Sequence, residues 1–94
     1  MPELRFEWDP RKSASNARKH KVTFEEARSA FADPNGLVID DPDHSEEEER
    51  FILLGLSYAV RLLVVCHVFR SDIIRIISAR KATPREATTY RRKR

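Results

Sequence analysis

One cysteine, Cys66, stands in a chain of 94 residues, so no disulfide can close within it. It lies in the apolar run LLVVCHVF, a setting that suits a buried, inert thiol better than a nucleophile. No apolar run approaches the roughly 20 residues a membrane helix needs, and nothing resembles a signal peptide. The expected location is the cytosol, with no membrane partner. Neither internal repeats nor low-complexity linkers divide the chain, which reads as a single domain over 1–94. Such a small domain buries only about two-thirds of the surface its unfolded chain exposes, so its stability is expected to be sensitive to a partner.

What is abundant is charge, at 35% of residues against 40% hydrophobic, a globular balance with extensive wet or bound surface. The net +3 hides a division. Residues 40–49, DDPDHSEEEE, carry seven acids and no Lys or Arg, whereas residues 50–94 carry eleven bases against Asp72 and Glu86. A basic C-terminal half points to a polyanionic or acidic partner, unless the acidic stretch screens it from within. Asp41, Asp43, His44 and Glu46 match neither an EF-hand nor a zinc spacing, so the stretch reads as a solvated acidic loop.

Leu4 to Trp8 alternates apolar and charged residues, the pattern of a short strand. Asp9-Pro10 then supplies an N-cap and a first-turn proline for a helix to about His20, with a cationic side. Thr23 with Glu26 three residues on reads as a capping box, and Val22 against Ala27 as a hydrophobic staple. Phe24, Ala27 and Phe31 form the buried stripe of this second helix, which Asp33-Pro34-Asn35-Gly36 ends. Leu37 to Ile39 reads as a short strand, with Asp40 as an alternative end. Arg50–Ser57, Arg61–Arg70 and Ile73–Arg80 follow as an antiparallel meander, apolar on both faces and therefore covered on both. Thr83-Pro84 with Glu86 repeats the cap signature and opens a last helix, expected to carry Arg85, Glu86, Tyr90 and Arg91 outward and to fray into Arg92, Lys93 and Arg94. The fold class is α+β: a small antiparallel sheet, the meander plus one or two short N-terminal strands, with two N-terminal helices and a C-terminal one.

The stretch SDIIRIISARKAT, 71–83, raises the sharpest question. Alternation puts Arg75 with Ile73 and Ile77 on one face and Arg80 with Ile76 and Ser78 on the other. Arginine in an apolar run is costly unless an anion meets it. Arg75, Arg80 and Lys81 pair with the chain's own carboxylates, snorkel to water, or await a ligand.

FEWDPRKSASNARKHKVTFEEA, DPDHSEEEERFILLGLS and RIISARKATPREATTY, in that order, resemble the BrnT toxins of type II toxin–antitoxin modules. The resemblance implies a compact RelE-like fold, a ribonuclease that cuts RNA and halts translation, and no cofactor or metal. It also implies a BrnA-like ribbon–helix–helix antitoxin that binds operator DNA, in an assembly of two toxins and two antitoxins. Lys81 and Pro84 stand where arginine is common in relatives.

Metal-free RNA cleavage needs a base for the 2′-OH, cations for the phosphorane and an acid for the leaving oxygen. Arg75, Arg80 and Lys81 suit the phosphate, arginine through its two-pronged fork. His67, Glu86 and Tyr90 are the candidates for proton transfer. His67 shares a strand face with Leu63, Val65 and Phe69, Glu86 has a competing capping role, and Tyr90 could instead pack or stack on a base. By analogy with RelE-like enzymes, Arg80, Lys81, Glu86 and Tyr90 lead this set. The competing expectation is a non-enzymatic module whose basic face receives an acidic antitoxin or nucleic acid.

Overall fold

The computed structural model describes residues 4–41 and 48–92. The elements run β1 (Arg5–Glu7), α1 (Pro10–His20), α2 (Phe24–Ser29) continued by a 3-10 turn (Ala30–Ala32), β2 (Leu37–Asp40), β3 (Arg50–Leu56), β4 (Leu62–Arg70), β5 (Ile73–Lys81) and α3 (Pro84–Arg92). The acidic-loop residues Asp43, His44 and Glu46, and the final Lys93 and Arg94, lie outside the described residues.

Each helix begins where the sequence places its cap. Asp9 accepts from Arg11 N–H at 2.9 Å, and Pro10 opens α1. Thr23 Oγ1 accepts from Glu26 N–H at 3.0 Å, but the Glu26 carboxylate does not return to complete the box. It turns inward to Ser57 and Arg61 instead. At α3 both arms form: Glu86 N–H donates to Thr83 Oγ1 at 3.2 Å, and Thr83 N–H to Glu86 at 2.8 Å. Lys21 ends α1 in the left-handed region at φ 60°, its N–H returning to Ala17.

The five strands lie in the order β1-β5-β4-β3-β2, with β2 to β5 antiparallel and β1 parallel to β5. The sheet is therefore mixed, correcting the expected antiparallel one. Alternation marks β1 as a strand but says nothing about which neighbour it joins or in which direction.

One face of the sheet is closed by α1, α2 and the 3-10 turn. Val22, Phe24, Ala27 and Ala30 pack there on Leu53, Leu63, Val65, Ile76 and Ala79. Losing a ring such as Phe24 from this layer would cost about 3–5 kcal/mol. Buried Asn16 fixes α1 to the end of β5, donating to Val22 C=O (2.9 Å) and Ala79 C=O (2.8 Å) and accepting from Ala79 N–H (3.1 Å). A Cβ on Gly55 would stand 2.8 Å from the Ala30 carbonyl oxygen, so only glycine lets β3 approach the turn this closely.

On the opposite face Tyr90 brings α3 down over Leu54 and Val64, with Leu37, Ile52, Leu62 and Ala82 around it. Its hydroxyl donates to Asp33 at 2.6 Å. Tyr90 therefore points into the protein, not outward as expected, because its ring has apolar sheet to cover and its hydroxyl a carboxylate to reach. No helix among the described residues is long and apolar enough to cross a membrane.

Candidate active site

A single irregularity in β5 puts its arginines on one face of the sheet. Cys66 pairs with Ser78, but the next residue of β4, His67, pairs with Ile76, leaving Ile77 as the extra residue of a bulge. Beyond it the alternation is inverted. Arg75 lies opposite Val68 and Arg80 opposite Val64, and those two valines share a strand face. The strict alternation that separated Arg75 from Arg80 is thus corrected: both emerge on the α3 face.

Between β2, β3, β4 and β5 that face holds a groove of about 290 Å³. Arg50 and Asp41 line one end, Arg80 and Ser78 the other, and Cys66 with Ile52 and Val64 the floor. Arg50 lies opposite Val68, which Arg75 flanks from the other side, so the guanidinium-bearing positions 50 and 75 share one row. Burial and the neighbouring Asp41 carboxylate push the Cys66 thiol up, which keeps it protonated and a poor nucleophile.

The arginines are already engaged. Arg80 offers its fork to Glu86, with both N–H···O contacts at 2.9 Å. That fork, with the Thr83 backbone N–H, lowers the Glu86 carboxyl from 4.5 to about 2. Arg75 reaches Glu7 at 2.6 Å, across the parallel register Glu7↔Arg75. Arg50 forms no ion pair with any described residue, although the acids Asp41 and Glu48 are close in the chain.

The remaining expected residues go elsewhere. Lys81 pairs with Leu63, a residue of the helix-packed core, so it projects to the opposite face, where it acts on Glu26. His67 is fully buried on that same face, ringed by Phe31, Phe51 and Phe69 at 4.9–6.1 Å between centroids. Its Nδ1 lies 3.1 Å from Val65 C=O, Nε2 has no partner among the described residues, and burial lowers its pKa. Tyr90 is held at Asp33, under α3. The structure therefore brings Arg75, Arg80 and Glu86 to one face and sets His67 and Lys81 behind the sheet. The expected cluster of Arg75, Arg80 and Lys81 does not form.

Sequence reading passed over Arg50 and Ser78. Arg50 directly follows the acidic stretch and looked like the start of a strand; only the pairing Arg50↔Val68 puts it in line with Arg75. Ser78 enters the sequence pattern only as a residue on the face of Arg80.

The family model described as "Ribonuclease toxin, BrnT, of type II toxin-antitoxin system" matches residues 8–86. The crystal structure of the Brucella abortus ribonuclease toxin BrnT is similar at 19% sequence identity, covering 86% of this chain and 99% of that one, with a TM-score of 0.62. That likeness shows the fold: an α+β arrangement of five strands and three helices. No curated protein sequence matches.

Proposed function

The chain belongs to the BrnT family of ribonuclease toxins of type II toxin–antitoxin systems, and from that premise we propose that it is a metal-independent endoribonuclease whose scissile phosphate sits in the groove between Arg50 and Arg80. The observation that carries this reading is the β5 bulge, which turns Arg75 and Arg80 to the face where Arg50 stands.

In that groove the 2′-oxygen gives its proton to Glu86 and attacks phosphorus, the bond to the 5′-oxygen breaks as that oxygen takes a proton from water, and a 2′,3′-cyclic phosphate remains. Arg50 and Arg80 hold the non-bridging oxygens as charge builds on the phosphorane, which is the role a metal ion plays in other nucleases. RNA phosphate exchanges with Glu86 for the fork of Arg80. Glu86, at about 2 while paired, is a feeble base; losing Arg80 to the phosphate raises its proton affinity at the moment a base is needed. Arg75, held by Glu7, widens the positive field along the path of the backbone. Tyr90 fixes α3, and thereby Glu86, to the sheet. Lys81 and His67 act through packing and charge behind the sheet.

The wider reading is that RNA cleavage in the cytosol halts translation, and that a ribbon–helix–helix antitoxin restrains the toxin in a two-plus-two assembly that reaches operator DNA through the antitoxin. One observation favours a binding-only module: Arg75 and Arg80 each already face a carboxylate of their own chain. A single experiment separates the two. Purified chain is incubated with RNA in excess chelator and the ends of any fragments are analysed. Cyclic phosphate ends support the nuclease; intact RNA bound in a salt-sensitive complex supports the module.

A further inference from the structure

The two edges of the sheet are built differently. On β1, Arg5 and Glu7 flank Phe6, Arg5 reaches Asp72 at 3.4 Å, and the guanidinium of Arg28 lies 5.1 Å over the Phe6 ring. Charges of this kind discourage a further strand from pairing. On β2, Leu37-Val38-Ile39-Asp40 has no lysine, no proline and no bulge, and no described strand pairs with its outer side. Val38 is 54% and Ile39 60% exposed, one on each face. Ile39 lies opposite Ile52, which belongs to the apolar cluster beneath Tyr90, so a sixth strand would extend both layers of the protein.

We propose that β2 is the edge on which the antitoxin adds a strand, through a segment of alternating apolar residues flanked by basic ones. This rests on the family membership above, which requires an antitoxin partner. The charge of the partner follows from the sequence: β2 ends in Asp40, within a ten-residue stretch of seven acids and no bases. An incoming strand gains backbone hydrogen bonds and side-chain packing along β2, and its cations meet Asp40 at the strand's end. A second copy of this chain suits the edge poorly. Pairing with its own copy, β2 would bring a second Asp40 and no cation to the edge.

The test uses the full chain, affinity-tagged and co-expressed with the untagged antitoxin of its own operon. Ile39→Lys should weaken the complex at least tenfold, while Ile39→Thr, which keeps a strand-forming side chain without charge, stays within about threefold. In the wild-type complex, hydrogen exchange at the amides of residues 37–40 should slow by at least tenfold. Wild-type affinity in Ile39→Lys, or unchanged exchange at those amides, overturns the proposal. So does a free chain that sediments as a dimer which Ile39→Lys dissociates while antitoxin binding persists. RNA cleavage by the free wild-type chain is read separately. A wild-type chain that fails to cut sinks the ribonuclease reading alone, and the binding results still decide the docking edge.

Discussion

Replacing Glu86 by glutamine separates the two roles that the contact with Arg80 combines. Both N–H···O distances are 2.9 Å, but the Arg80 and Glu86 side chains are 41% and 31% exposed. Screening at that exposure limits the pair to about 1 kcal/mol. Glutamine retains the bond to Thr83 N–H, so the cap survives. In a chain of this size about 1 kcal/mol corresponds to a melting temperature lower by roughly 4–8 °C at pH 7. The pH dependence has a definite sign. The Glu86 carboxyl stands at about 2 in the fold against 4.5 outside it, so its contribution is complete above pH 4.5 and fades as pH falls towards 2. Melting curves of wild type and Glu86→Gln should therefore differ at pH 7 and converge near pH 2. Freed from its internal partner, Arg80 should bind RNA phosphate more tightly, by about fivefold for that same 1 kcal/mol, while turnover falls because the proton acceptor is gone. A gap in melting temperature that persists at pH 2, or RNA affinity that is unchanged or weaker, refutes the exchange of Arg80 between carboxylate and phosphate.

Two further outcomes follow from the same coordinates. Glu26→Ala leaves Arg61 and Ser57 without the buried carboxylate that ties α2 to the β3–β4 hairpin, a loss of about 3–5 kcal/mol and a melting temperature lower by roughly 12 °C or more; a shift of a degree or two in a thermal melt contradicts it. His67 is held neutral by burial, so the stability that depends on it is complete above pH 6.5 and is lost as pH falls below that value through its lowered folded pKa. His67→Phe should flatten the acid side of the stability profile and leave RNA cleavage within about twofold, an outcome that a proton-transfer role for this ring forbids.

How much of this was legible in the sequence depended on whether a signal was local. Asp9-Pro10, Thr23 and the Thr83-Pro84 pair with Glu86 each specify a helix start within a few residues, and all three starts are where those residues put them. The meander was equally readable, to within a residue at its ends. The bulge at Ile77 was not. It exists only in the pairing of β4 with β5, and it reverses the face of every residue beyond it. The separation of Arg75 from Arg80 made from alternation alone was therefore inverted. The same non-local origin hid Arg50, whose value lies in standing across β4 from Arg75. Glu26 shows a competition that a motif cannot decide: its carboxylate could close a cap at the surface or meet Ser57 and the half-buried Arg61, and the latter prevail.

The central claim is that phosphate is held on the α3 face between Arg50 and Arg80. It is tested most directly by single-turnover cleavage of RNA in chelator by wild type, Arg50→Ala, Arg80→Ala and Lys81→Ala, each first shown to be folded. Removing either groove arginine should slow cleavage by about 10²–10³, while Lys81→Ala stays within a few-fold of wild type. Undiminished cleavage by Arg50→Ala, or abolition by Lys81→Ala, would place the chemistry on the other face of the sheet and contradict the account.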